Sequence, residues 1–202
     1  MVLLSVLISS PWLSRCALAV APELLGCRLV RRWPDGRQLT AVIVETEAYT
    51  AGDPACHAYR RQTPRNRVMF GPAGYSYVYL IYGMYHCFNV VTDLEGVPSA
   101  VLVRAVDLVA IPDWLVGYRQ EKAWRWGAGP GKLCQLLGID RQLSDRPLHP
   151  STGLWLEAPS PDWQARLQGS AAIVKTTRIG LTQGADRPWR WYVRDAASVS
   201  KP

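Results

Sequence analysis

Glu45 and Glu47 stand two residues apart in the stretch Ile43-Val44-Glu45-Thr46-Glu47-Ala48-Tyr49. On an extended segment, side chains two apart point the same way, so both carboxylates would share one face with Thr46 opposite. Like charges on one face push one carboxyl pKa up, and that is one route to a general base. A solvated strand edge has the same spacing, so the pair alone leaves both readings open. A basic loop follows, with Arg60, Arg61, Arg65 and Arg67, and then an aromatic run from Tyr75 to Asn89 with five tyrosines and Phe88. Acid, cations and flat rings in one segment suggest a site that holds a nucleobase and acts on it. Read singly, the other residues stay ambiguous: His57 suits a base, a phosphate contact or a buried, hydrogen-bonded ring, and Tyr79 and Asn89 suit ordinary sheet positions.

The elements that would position these groups can be read from the turns. Cys27 to Trp33 alternates as a strand, Pro34-Asp35-Gly36 is a turn, and Leu39 to Thr46 returns, so a hairpin leads into Glu47. Residues 50 to 74, rich in Gly and Pro, read as a long loop, and long loops inside compact domains are usually functional. Tyr75 to Ile81 and Tyr85 to Thr92 read as two strands around Gly83. A three-residue turn, Tyr82 to Met84, would put Tyr77, Tyr79, Cys87 and Asn89 on one face and Tyr82 at the tip in water. A large ring so exposed implies that something covers it. Ala100 to Val106 is an apolar strand carrying Arg104. Gly129-Pro130-Gly131-Lys132 leads into a helix from Leu133 to Leu137, whose start with Lys132 beside it suits a phosphate, although the P-loop spacing is lacking. Ile173 to Gly180 and Trp189 to Val193 read as two more strands. Near the N-terminus Ser10-Pro11 reads as a cap and first helical position, and Pro22 as a break.

With 202 residues and 49% hydrophobic residues, the chain has material for one domain with one core. Its 23 basic against 16 acidic residues give +7, nearly all of the basic side being arginine, since there are only four lysines. That balance, with nine Trp and nine Tyr, is compatible with nucleic acid, where cations hold the backbone and rings stack on bases. It is equally compatible with a basic soluble protein whose core is rich in tryptophan. Five cysteines with no C-x-x-C pair suggest reduced, mostly buried thiols of a cytoplasmic protein, and three scattered histidines give no metal cluster. The apolar Met1 to Ser9 lacks the basic flank of a signal peptide and is too short to span a bilayer, so no membrane association is expected.

Taken together, several blocks resemble the alkyladenine (3-methyladenine) DNA glycosylase family of the mammalian alkylpurine type. They are Leu24-Leu25-Gly26, Val44 to Tyr49, Gln62-Thr63-Pro64-Arg65-Asn66-Arg67, Tyr77 to Met84, Asn89-Val90-Val91, Val101 to Arg104, Gly129 to Cys134, Arg178-Ile179-Gly180 and Trp189 to Val193. In order, they run from about residue 18 to residue 200, which leaves 1–17 as an N-terminal extension or first helix and 18–202 as the glycosylase domain.

The resemblance implies a mixed α/β (α+β) domain with a central curved, mainly antiparallel sheet, surrounding helices and a β-hairpin projecting toward DNA. It implies a monofunctional, monomeric enzyme without metal or organic cofactor. Such an enzyme flips alkylated purines of the 3-methyladenine or 7-methylguanine type from double-stranded DNA and hydrolyses the N-glycosidic bond in base excision repair. Carried over by position, Glu47 activates the water and Arg104 assists it. Tyr49 and Tyr79 stack on the flipped base, His57 contacts it, and Asn89 guards the pocket floor against normal guanine. Tyr82, with Met84 beside it, enters the minor groove. Arg65, Lys132 and Arg178 are placed at the DNA backbone. Two features depart from the family pattern: Pro22 within the first helix, and a short, Trp-rich stretch at 107–128. The rival from another class is a lesion-binding protein with weak or no catalysis, and a blander one is an RNA-binding domain.

Overall fold

The computed structural model describes residues 6–169 and 171–200. The readings made for Met1 to Ser5 therefore lie outside the described residues. Of the first helix, the described part is α1 (Ser10–Leu13), capped by Ser9 rather than Ser10 and without a side-chain cap bond. After a break, α2 (Ala17–Glu23) carries Pro22 inside its last turn. Proline there removes one amide donor near the helix end, where little of the ladder remains to be lost.

β1 (Arg28–Arg32) and β2 (Gln38–Tyr49) form the expected hairpin, with Arg32 opposite Gln38. β3 (Tyr75–Ile81) and β4 (Tyr85–Val91) form the second, followed by β5 (Ala100–Leu108). The helix read after Gly129 is α3 (Pro130–Leu136). The region 140–170 contains β6 (Arg146–Pro147), β7 (Leu154–Glu157) and α4 (Pro161–Leu167), none of which its mixed composition announces. β8 (Ile173–Thr176) and β9 (Arg190–Val193) end the set. The strands join in one sheet in the order β6-β3-β4-β5-β2-β1-β7, with β9 on β2 and β8 on β9, and the recorded strand pairings are antiparallel.

β2 is the spine. Its residues 38–42 pair with β1 and its residues 45–47 with β9, while β5 runs along its other edge. The register against β5 slips between Ile43 and Glu45 and again between Glu45 and Thr46. Bulges bend a strand and re-aim its side chains, and this one lies at the acid pair. Strand alternation then sorts two faces. Val44, Ala48, Val78, Phe88, Val90, Val101 and Val103 join the main core with Ala17, Val20, Ala21 and Leu24 of α2. Thr46 belongs to that face and donates its hydroxyl to the Ala21 carbonyl at 2.9 Å. On the other face a smaller cluster of Cys56, Ala58, Val68, Met69 and Tyr77 fastens the 50–70 loop over the sheet. Gly26, at φ +80, joins α2 to β1, and that left-handed conformation is what calls for glycine; a Cβ there would also press on the movable end of Leu167, 2.5 Å from its Cδ1.

Candidate active site

Glu45 and Glu47 are both completely buried, and both point away from Thr46, so the solvated-edge reading of the pair is overturned. The like-charge argument changes as well, because Arg104 of β5 stands between them. Its Nε donates to Glu45 Oε1 at 2.9 Å and its Nη1 lies 3.2 Å from Glu47 Oε1. Burial pulls this guanidinium down, but Glu47 and Glu45 more than offset it, and its pKa ends above the usual arginine value.

The two acids have different surroundings. Glu45 Oε1 also accepts from Arg190 Nη1 at 2.9 Å and from the Ser200 hydroxyl at 2.9 Å, and Oε2 accepts from the Ser200 amide at 2.8 Å. Glu47 Oε1 accepts from the Ile179 amide at 2.9 Å, and Oε2 accepts from the Tyr49 hydroxyl at 2.7 Å. Burial and the adjacent Glu47 push the Tyr49 phenol well above its usual range, so it stays neutral and donates. Glu45 is thus held by two guanidinium groups and a serine, while Glu47 faces a cavity through Tyr49 and Arg104.

That cavity measures about 600 Å³, and its lining includes Tyr49, His57, Tyr79, Asn89, Arg104 and Ile179. The register explains the grouping: Tyr77 lies opposite Asn89 and Tyr79 opposite Cys87, so all four share the face that the three-residue turn implied. Asn89 is buried and donates its amide to the Tyr77 carbonyl at 3.0 Å, which fixes its side chain in the wall. The Tyr79 ring meets His57 edge-on at 4.5 Å and tilts against Tyr77 at 5.4 Å. His57 Nδ1 shares a hydrogen bond of 2.9 Å with the Tyr77 hydroxyl. Burial and then Arg65 push the imidazole down to about 4, so it is neutral at physiological pH and serves as a polar contact rather than a cation. Tyr77 is a site residue that the sequence reading placed on this face without giving it a role.

Beyond the cavity mouth the hairpin projects. Tyr82 is 82% exposed and Met84 64% exposed, and both Tyr82 (φ 53) and Gly83 (φ 70) occupy the left-handed region. A bulky residue at positive φ costs about 1–3 kcal/mol. Asn or Gly would fold this turn more easily, so the tyrosine is kept there for something other than the fold.

The three cations expected at a phosphate backbone have separate fates. Arg65 is exposed at the mouth with its guanidinium 5.4 Å over the Tyr79 ring. Lys132 also lines the cavity, and its ammonium is bound by Glu121 at 2.9 and 3.1 Å. Arg178 is corrected: its side chain is 0% exposed and paired with the equally buried Asp53, so it reaches no phosphate. The Trp-rich stretch forms two short 3-10 turns, Asp113–Leu115 and Ala123–Arg125, with Trp126 buried and Trp114 edge-on to Trp33 at 5.5 Å.

A buried carboxylate thus lies under an aromatic cavity, beside an exposed hairpin on a basic chain. The chain belongs to the methylpurine-DNA glycosylase family, whose model matches residues 11–197. A protein of Trichodesmium erythraeum is 53% identical over 199 residues, covering 96% of this chain and 97% of the relative. One of Synechococcus sp. strain JA-3-3Ab is 55% identical over 193 residues, covering 94% and 96%. One of the archaeal Methanoculleus marisnigri is 46% identical over 190 residues, covering 93% and 95%. All three carry the provisional name 3-methyladenine DNA glycosylase. The protein is a DNA glycosylase, a hydrolase of N-glycosyl bonds, and its substrate is DNA.

Proposed function

We propose that the protein excises alkylated purines, of the 3-methyladenine and 7-methylguanine kind, from duplex DNA by direct attack of water. The observation that carries this reading is Glu47, held at the cavity floor by Arg104, Tyr49 and the Ile179 amide. A base inside the duplex is out of reach, so it must be extruded at a cost of a few kcal/mol. Tyr82 at the hairpin tip offsets part of that cost by filling the gap it leaves. Alkylation at N3 or N7 makes the purine cationic, and a cation against Tyr49 and Tyr79 gains on the order of 0.5–2 kcal/mol. The same charge improves the leaving group, so one property serves both selection and cleavage.

Glu47 then takes a proton from the attacking water. The acid has no exposed surface in the free protein, and Tyr49 and Arg104 are the cavity-lining side chains bonded to it. The attacking water approaches from the cavity beside the Tyr49 hydroxyl, which stays on Oε2 while the oxygen accepts a second hydrogen bond. An imine mechanism would need a free amine, whereas Lys132, the cavity lysine, is engaged by Glu121. The protein acts as a monomer.

The test is single-turnover release of 3-methyladenine, 7-methylguanine, ethenoadenine and hypoxanthine from defined duplexes, with salt varied. Methylated bases should leave fastest, and binding should weaken steeply with salt as phosphate contacts are screened. Trapping of a covalent DNA adduct by borohydride, or retention of lesion binding with no base release, would overturn the reading.

A further inference from the structure

Arg178 is buried, is bonded through both terminal nitrogens and is absent from the cavity lining. Its Nη1 and Nη2 both bind the Asp53 carboxylate, the second at 2.9 Å, and the same two nitrogens donate to the carbonyls of Ala48 at 3.0 Å and Gly184 at 3.1 Å. The guanidinium lies 4.7 Å from the Tyr49 ring and 5.1 Å from the Trp189 ring. Asp53 is also fully used: its Oδ1 accepts from the Ala55 amide at 3.2 Å and lies 3.6 Å from Arg187 Nη1.

What the pair holds is the surroundings of Glu47. Ala48 sits between Glu47 and Tyr49 in the chain, and Arg178 grips its carbonyl. The Tyr49 ring that packs on the guanidinium carries the hydroxyl that donates to Oε2. The residue after Arg178 is Ile179, whose amide donates to Oε1. Two of the three donors on Glu47 therefore hang from one buried ion pair, and the third, Arg104, comes from β5. A buried ion pair is a costly way to fill space, since well-packed apolar groups of the same volume do as well or better. A forked, bidentate pair does fix direction, which apolar packing does not.

We propose that Asp53 and Arg178 form a positioning clamp that sets Tyr49 and the Ile179 amide on Glu47 and so keeps the base aimed. This rests on the reading of Glu47 as the general base. The clamp touches neither DNA nor the reacting atoms, so losing it acts on the chemical step and spares binding.

The experiment compares wild type, Asp53→Asn, Arg178→Lys and Glu47→Gln in single-turnover release of 7-methylguanine across a pH series. Affinity for a duplex holding a stable abasic analogue and the folded fraction by circular dichroism are measured alongside. Charged and titratable groups near Glu47 are Glu45, Tyr49 and Arg190 from its own and the adjoining strand, and Arg104, Tyr79, Cys87 and Arg178 from the others. Only Asp53 and Arg178 are altered in the clamp variants.

The expected result is a loss on the order of 10- to 100-fold in cleavage, the scale of a small misplacement. Affinity should hold at every pH of the series, so the fall is confined to the cleavage step. Arg178→Lys should recover part of the rate, because it keeps the charge and loses the fork. Unimpaired cleavage by Asp53→Asn beside an inactive Glu47→Gln overturns the clamp alone. A loss that only follows the folded fraction, or one matched by an equal loss of affinity, overturns it too. Parental cleavage by Glu47→Gln overturns the general-base reading, and the clamp falls with it.

Discussion

At the floor of the cavity, Glu45 and Glu47 have no exposed surface, and each of their four carboxylate oxygens has a partner. At the tip of the β3–β4 hairpin, Tyr82 is 82% exposed and held at φ 53. The floor is built on the middle of the long strand β2, flanked by β5 and β9. The tip stands at the cavity mouth, with Tyr82 in the lining but mostly open to solvent. The contrast separates two tasks. Charge chemistry needs a dry, pre-arranged setting, where fixed dipoles and charges act more strongly than in water. The duplex-opening role proposed for Tyr82 needs a ring that meets DNA first, which agrees with its exposure and its strained turn. Function and stability are therefore coupled at the floor and independent at the tip.

The largest effect is expected from Glu47→Gln, which keeps the shape and removes the base. Cleavage should fall by about 10²–10⁴-fold, the usual contribution of a general base, with lesion binding retained. Single-turnover release and a binding titration on the same duplex check it. Next comes Glu45→Ala, the neighbouring acid that faces no substrate. It removes one of the two carboxylates on Arg104 and the Glu45 carboxylate from Arg190, and breaking a buried pair in this way costs about 3–5 kcal/mol. Urea unfolding should show that loss, and cleavage should fall as Arg104 moves. If Glu45→Ala is as stable as wild type, the floor is not the coupled region described above.

At the tip, Tyr82→Ala should behave in the opposite way. Flipping from paired DNA should weaken on the order of 10-fold or more, since a wedge offsets a few kcal/mol of unstacking. A lesion in a bulge, already unstacked, should be released at nearly the parental rate. The unfolding midpoint should hardly move, because Tyr82 is exposed and alanine keeps the same positive φ. A drop in stability equal to that of Glu45→Ala would erase the distinction between the two regions.

The hairpin tip was readable from sequence because its register is local. A three-residue turn between alternating strands fixes which side chains share a face, and Tyr77, Tyr79, Cys87 and Asn89 follow from it. The β1–β2 hairpin and α3 were readable for the same reason. The floor was readable only in part. Spacing gave Glu45 and Glu47 a common face, but the cation between them comes from β5, 59 residues away in the chain, and local pattern cannot supply it. Arg178 shows the limit most plainly. Its place in a motif suggested a phosphate contact, and its partner Asp53 lies 125 residues earlier in a loop with no periodicity. The helix α4 was missed because Pro, Ser and short apolar pieces around it mask about two helical turns.

His57 lies between the two regions and supplies the smallest prediction. It is exposed at the rim, yet its ring packs on Tyr79 and bonds Tyr77. Burial and Arg65 push its pKa from the ordinary 6.5 down to about 4. A lowered histidine pKa means that the unfolded chain binds the extra proton first, so between those two values stability rises with pH, and the full contribution is present above 6.5. Solvent on the open side of the ring screens the effect, which should amount to ~1 kcal/mol or less. The check is the pH slope of urea unfolding through this window in wild type and His57→Asn. The slope should be shallower in the variant, because a group that charges on unfolding has been removed. An identical slope would mean that the ring is solvated like the tip rather than held neutral like the floor, and the boundary between the two regions would then have to be drawn inside Tyr79.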